Sequence, residues 1–402
     1  MKLFLYRLSS TSLGQGLLSL LTFGISVDNL RKDANGKGSG KNNENQGIEN
    51  VNHKRNEKPE KTTASPSKNK PFLISITVDT EAGYVDNNER RVWQKEAPDA
   101  YQGFYAGIRN LRQVFKRNGV KATFFLSTHC FSANGEEYRA TIAELKGLLK
   151  DGHEIGLHLH PDSDKALQKE SGKEFLATSC FFYDETQLYE LIIASKKIIS
   201  RHLGKGVGES ITSIRWGNWA LNTDGAKAIK KAGLLVDSSA TPGIKGHFDD
   251  GRKYDWSRAK EHYPWPLSTK DYQSTNGNET IRETNGKTEK KKSTKQTATL
   301  EIPIATFSLL GNAMRADPQY SVILNKAFAH YHENADRSEK PFPFVVITHS
   351  SEATTKEGTQ TQALLDIERF ITFAKKKVGV DFSTIADAGK KYGKYHITSF
   401  LL

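Results

Sequence analysis

From Pro71 onward, short apolar runs alternate with helix-like stretches, and nearly every run ends in a cluster of polar side chains. That alternation constrains the fold more than any other feature, because parallel strands need a crossover of a dozen or more residues between them. Strands are expected at Phe72–Val78, Lys121–Leu126, Gly152–Leu157, Ser213–Trp216, Leu234–Asp237, Leu300–Pro303 and Phe344–Thr348. Helices are expected at Ala106–Asn118, Tyr138–Asp151, Thr186–Leu203, Thr223–Ala232, Gln360–Val378 and Ser383–Tyr392. In the first helix Ile108, Leu111 and Val114 share a face. The pattern predicts a mostly parallel α/β architecture, with a barrel as its closure.

In such barrels the reacting groups collect at the C-terminal ends of the strands. Here Asp79 and Glu81 end the first run, His129 follows the second, and His158, His160 and Asp162 end the third. Arg215 and Asn218 end the fourth, Asp237, Ser238 and Ser239 the fifth, and Thr348, His349, Ser350, Ser351 and Glu352 the last. Residues two apart on a strand share a face, which pairs Asp79 with Glu81 and His158 with His160. Carboxylates and imidazoles gathered in this way suit a divalent metal. The pattern points to a metal-assisted hydrolase.

The formal charge of +12 suggests nucleic acid, but its distribution argues against that partner. Residues 29–70 carry +5, residues 269–298 carry +3 and residues 1–28 carry +1, so the rest of the chain is nearly neutral. The excess therefore sits in polar, low-complexity segments. Residues 27–70 hold too few apolar groups to offset chain entropy and read as a disordered linker. Residues 269–298 read as a polar surface insertion. Residues 1–26, with Lys2 and Arg7 ahead of the apolar Leu13–Ile25, read as a signal or anchor segment. Such a segment would give weak membrane association and a secreted, cell-envelope or membrane-anchored location over a cytoplasmic one. Cys130 and Cys180 form no metal-type pair and are expected as free thiols.

Six segments together resemble a family: Thr77–Glu81, Ala122-Thr123-Phe124-Phe125, Gly152–Asp162, Arg215-Trp216-Gly217-Asn218-Trp219, Asp237-Ser238-Ser239 and Ile347-Thr348-His349. Their order is similar to that in the polysaccharide deacetylases, the NodB-homology proteins or carbohydrate esterase family four. The resemblance covers most of residues 71–392. It implies a distorted (β/α) barrel of the NodB type and a metal-dependent removal of N- or O-acetyl groups from a polysaccharide or glycan. It also implies a divalent ion, Zn²⁺ first, with Co²⁺, Mn²⁺ or Ni²⁺ as alternatives.

Carried over by position, Asp79 matches the catalytic base, Arg215 the arginine that orients it, and His349 the general acid. Glu81 sits where a D-x-D variant of the family has its metal carboxylate, and His158 matches the first metal histidine. Thr80 separates the two acids, and Asp162 stands where the family has its second histidine. The third ligand is then His160 or Asp162, with a weak or absent metal as the remaining alternative. Trp216, Asn218, Trp219 and Ser238 are expected at the substrate, and Trp93 is a further aromatic platform. A rival reading is a carbohydrate-binding relative that kept the barrel and lost catalysis.

Overall fold

A computed structural model describes residues 72–247, 253–260, 262–275, 298–309, 312–335 and 342–398. The expected leader, the linker and most of the polar insertion lie outside these residues. Among the described residues no helix is long and apolar enough to cross a membrane.

The first strands are β1 (Phe72–Thr80), β2 (Gly83–Val85), β3 (Arg91–Trp93), β4 (Thr123–Leu126) and β5 (Glu154–Leu159). They are followed by β6 (Ser213–Trp216), β7 (Val236–Asp237), β8 (Lys245–His247), β9 (Lys253–Asp255) and β10 (Trp265–Pro266). The last are β11 (Leu300–Glu301), β12 (Thr306–Leu309), β13 (Asn312–Arg315), β14 (Phe342–His349) and β15 (Val380–Phe382). Nine of them make one sheet in the order β10, β11, β7, β6, β5, β4, β1, β14, with β15 added against the start of β1. Every pairing in it is parallel except β10 with β11. The other six strands form three hairpins.

Helices α1 (Ile108–Asn118), α2 (Gly135–Lys150), α3 (Lys165–Ser171), α4 (Glu185–Leu203), α5 (Lys205–Ser210) and α6 (Thr223–Lys231) alternate with the first half of the sheet. Helices α7 (Ser321–Ala335), α8 (Gln362–Ala374) and α9 (Ile385–Thr398) belong to the second half. The sheet curls into a distorted half-barrel. Helix α7 and the short helices α3 and α5 are additions to the sequence expectation, and α9 runs past the expected end at Tyr392.

Strand alternation splits the core in two. Ile74, Ile76, Val78, Phe124, Leu126, Ile155 and Leu157 point outward and join the helices in the larger cluster. The opposite parity, Leu73, Phe125, Val236, Leu300, Ile302, Val345 and Ile347, fills the barrel interior. Helix α9 plugs the floor of that interior with Ile385, Ala388 and Tyr392. Gly389 allows this approach, since a Cβ there would lie 2.4 Å from Val236 Cγ2. Glu154 completes the floor, accepting from Thr123 Oγ1 (2.7 Å), Ser213 Oγ (2.5 Å) and the Ala386 N–H (2.9 Å) at the start of α9.

The opening between β11 and β14 is spanned by extended backbone. Ile304 N–H donates to Ala240 O (2.9 Å), Ala305 N–H to Val345 O (3.0 Å) and Ile347 N–H to Ala316 O (3.0 Å). Apolar layers therefore fill the lower barrel, and the polar residues of the same parity are left at its upper mouth.

Candidate metal centre and active site

Asp79 and His349 are register partners on β1 and β14, and His158 and Arg215 are partners on β5 and β6. Adjacent strand ends thus bring together residues far apart in sequence. Gly156 precedes His158 on the same face, where a Cβ would meet Ser213 Oγ at 2.5 Å and the Phe125 ring at 2.7 Å. Only glycine fits beneath the histidine.

Ligand atoms of Glu81, His158 and His160 all lie within 4.8 Å of one another. Glu81 Oε1 is 3.1 Å from both Nε2 atoms, which are themselves 3.0 Å apart. The outer nitrogens are engaged: His158 Nδ1 lies 3.0 Å from the Arg215 carbonyl, and His160 Nδ1 lies 3.2 Å from Thr178 Oγ1. The Thr178 hydroxyl donates to Asp162 and is therefore free to accept from His160. This network assigns the proton to Nδ1 of each ring and turns both Nε2 lone pairs toward the carboxylate. Three acceptors in such proximity require a shared cation, either a proton or a metal ion. One carboxylate oxygen with two imidazole nitrogens suits Zn²⁺ and its first-row neighbours, so the residues present fit the expected ion.

The electrostatics agree. Burial alone would raise the Glu81 carboxyl, but the Arg91 guanidinium and the two imidazole contacts hold it well below the usual carboxylate range. Burial alone would lower His158, but the carboxylates of Asp79 and Glu81 raise it above the usual histidine value.

Beside this group, Asp79 Oδ1 accepts from Arg215 Nη1 (2.8 Å), while Oδ2 lies 3.9 Å from His158 Nε2. Arg215 is completely buried. Three further donors go to Thr77 Oγ1 (2.8 Å), Ser238 O (2.8 Å) and Ser238 Oγ (3.0 Å). Across the mouth, His349 Nδ1 lies 3.0 Å from Glu352 Oε1, which leaves Nε2 available. Burial would raise Glu352, yet His349 and Arg91 hold it down to about 2. Burial and the Glu352 carboxylate push nearby Asp317 up to about 7.

A cavity of about 70 Å³ opens over these groups, lined by Asp79, Glu81, His158, His160 and His349 and rimmed by Trp93, Asn218 and Trp219. Trp93 is 42 % exposed, with the Arg91 guanidinium 3.6 Å from its ring centre. Asn218 and Trp219 both hold left-handed backbone, with φ of 53° and 55°. That conformation is rare for a residue as bulky as tryptophan and is characteristic of functional loops.

Three sequence expectations need correction. Asp162 lies outside the Glu81–His158–His160 group, because its carboxylate accepts from the Thr178 hydroxyl and faces Lys95 at 3.9 Å. Trp216 cannot meet a sugar, because it is fully buried with its indole N–H donated to Thr178 O (2.8 Å). Ser238 is likewise buried, accepting from Arg215 and donating to Ile302 O (2.8 Å), so it supports the site from below. His129 is a buried support whose Nε2 meets Pro98 O at 2.7 Å. Two contributors escaped the sequence reading, Arg91 and Thr178. Arg91 alternates with apolar Val92 in a polar hairpin, which is a weak sign of burial, and Thr178 carries no sequence signal.

No protein-family model matches this chain, and no curated protein matches it in sequence. Solved structures do. A structure from Parabacteroides distasonis assigned as a glycoside hydrolase/deacetylase matches with a TM-score of 0.53 at 13% identity, over 82% of this chain and 72% of that one. Puue allantoinase matches with a TM-score of 0.51 at 13% identity, over 82% and 92%. A protein from Pseudomonas aeruginosa PAO1 assigned as a polysaccharide deacetylase matches with a TM-score of 0.50 at 14% identity, over 81% and 91%. The deacetylase-type barrel is the shared fold. At these identities the likeness is one of architecture, and the chemistry rests on the residues described above.

Proposed function

We propose that this protein is a metal-dependent hydrolase that removes N- or O-acetyl groups from a polysaccharide or glycan. The observation that carries the reading is the convergence of Glu81 Oε1 with the Nε2 atoms of His158 and His160, beside Asp79 and opposite His349. Glu81, His158 and His160 would hold the ion. When bound, a divalent ion supplies a Lewis acid and a strong oxygen nucleophile at neutral pH.

The protein's own groups account for the proton movements. Asp79 has one oxygen fixed by Arg215, so Oδ2 accepts the proton of the attacking water. Arg215 acts through Asp79, fixing the orientation of its carboxylate. His349 donates from Nε2 to the departing sugar nitrogen or oxygen as the bond to the acetyl carbon breaks, and acetate is released. Glu352 holds the opposite nitrogen and so the ring orientation. The small cavity suits an acyl group, while Trp93 and Trp219 at its rim offer apolar faces to a sugar ring.

The binding-only alternative rests on Asp162 in place of a histidine and on Thr80 between the two acids; against the first, His160 beside Glu81 offers a second imidazole, which supports the hydrolase reading. The test is elemental analysis of purified wild type and His158→Ala, followed by acetate release from N-acetylated chitin oligomers and acetylated xylan. About one metal per chain, lost in the variant, together with acetate release, is the expected result. Wild type that takes up no metal on reconstitution would overturn the reading.

A further inference from the structure

Arg91 lies on the β2–β3 hairpin, outside the segments that carry the family resemblance, and it is 4 % exposed. Its Nη2 donates to Glu81 Oε2 (2.5 Å), its Nη1 to Glu352 Oε1 (3.2 Å) and its Nε to Ser351 Oγ (2.9 Å). The Trp93 ring covers the guanidinium face. Each of the three guanidinium nitrogens thus donates to a protein group.

We propose that Arg91 is a positioning residue that ties the metal-binding carboxylate to the proton-donating histidine; the inference rests on the hydrolase reading above. Taking Oε2 of Glu81 leaves Oε1 as the oxygen presented to the two imidazoles. At the other end, Glu352 Oε2 is held by the His349 N–H (3.0 Å) and Thr348 Oγ1 (3.2 Å), and Oε1 is shared between Arg91 and His349 Nδ1. One rigid guanidinium therefore sets the direction of both carboxylates. Lysine offers a point charge without the planar fork and can serve only one of them well. Without the guanidinium, the two buried carboxylates would face each other with no cation between them, and each would be free to turn toward its own imidazole.

The test compares wild type, Arg91→Met, Arg91→Lys and Glu352→Gln. The first readout is the Zn²⁺ Kd by chelator competition. The second is the ratio of activity, at saturating metal, on an N-acetylated chitin oligomer and on 4-nitrophenyl acetate, whose leaving group departs without a proton. Arg91→Met should lose about 10–100-fold in metal affinity, the usual cost of removing a partner of a metal ligand, with Arg91→Lys between it and wild type. Metal-loaded Arg91→Met and Glu352→Gln should both lose about tenfold or more in activity on the amide relative to the activated ester. Glu352→Gln should keep its metal affinity within about threefold, because Glu81 retains Arg91.

Folded Arg91→Met with unchanged Kd, or with equal losses on the two substrates, overturns the inference. If Arg91→Met does not fold, Arg91→Lys decides, and wild-type values on both readouts overturn it. Wild type without metal removes the hydrolase reading and this inference together. Wild type with metal and an unaffected variant removes the inference alone.

Discussion

Each imidazole in the candidate metal group has one nitrogen spoken for from behind, and that asymmetry generates predictions for single side chains. His160→Ala should abolish stoichiometric metal. Asp162→Asn should cost only about tenfold in affinity, since Asp162 reaches His160 through Thr178, and elemental analysis with competition titration separates the two. Equal losses in both variants would return Asp162 to the ligand set. On the proposed reading, the elevated His158 would also make metal compete with a proton. Metal affinity should therefore fall as pH drops through the raised histidine value, and Kd measured across pH 5 to 8, about one unit or more either side of a free imidazole, would reveal it. The gathering of Asp79, Glu81, His158 and His349 at one mouth was legible as residue types at strand ends. The choice between His160 and Asp162 was not, because it depends on where the chain turns after Leu159. Trp216 and Ser238 misled because a strand end offers buried and open positions one residue apart.

Elements show the same division between what periodicity carries and what it does not. The parallel strands were readable because buried β runs are apolar and bounded by turns. Helix α7 stands outside the sequence expectation although Ile323, Leu324, Ala327, Phe328 and Tyr331 repeat at helical spacing. The hairpin bearing Arg91 is too short for any periodic signal. The junction of α2 and β5 carries a prediction of its own. His153 packs against Phe115 and Phe124, and its Nδ1 accepts from the Ala122 N–H (3.1 Å). A second ring proton would break that bond. Burial lowers His153 from 6.5 to about 4. The unfolded chain therefore binds the proton first, and stability falls as pH drops from the unfolded value toward the folded one. The loss is on the order of 3 kcal/mol once fully acid. His153→Gln should flatten urea-denaturation stability across that window, and an unchanged slope would show that His153 does not govern it.

For the whole molecule, the barrel needs its floor as much as its mouth. Helix α9 enters beneath the interior cluster, and Gly389 leaves no room for a side chain against Val236. Gly389→Val should destabilise by about 1–3 kcal/mol through overpacking, whereas Gly393→Ala, where a Cβ meets nothing within 4 Å, should not. Thermal melts of the two variants would distinguish this from a general intolerance of helix α9 to substitution. The architecture was legible because alternating strands and helices leave few parallel solutions. The closing stretch around Ile304 and Ala305 was not, since extended backbone that hydrogen-bonds singly has no pattern to read.

That closing stretch gives the cylinder a seam. Eight register pairs join β1 to β14, but only isolated amide bonds join β14 to Ala305 and Ala316. Under native hydrogen exchange the amides of Ala305 and Ile347 should open first, well before those in the middle of β1, so the barrel should breathe along one line. Because His349 ends a strand that stays paired with β1, opening the seam would part the barrel beside His349 while leaving it next to Asp79.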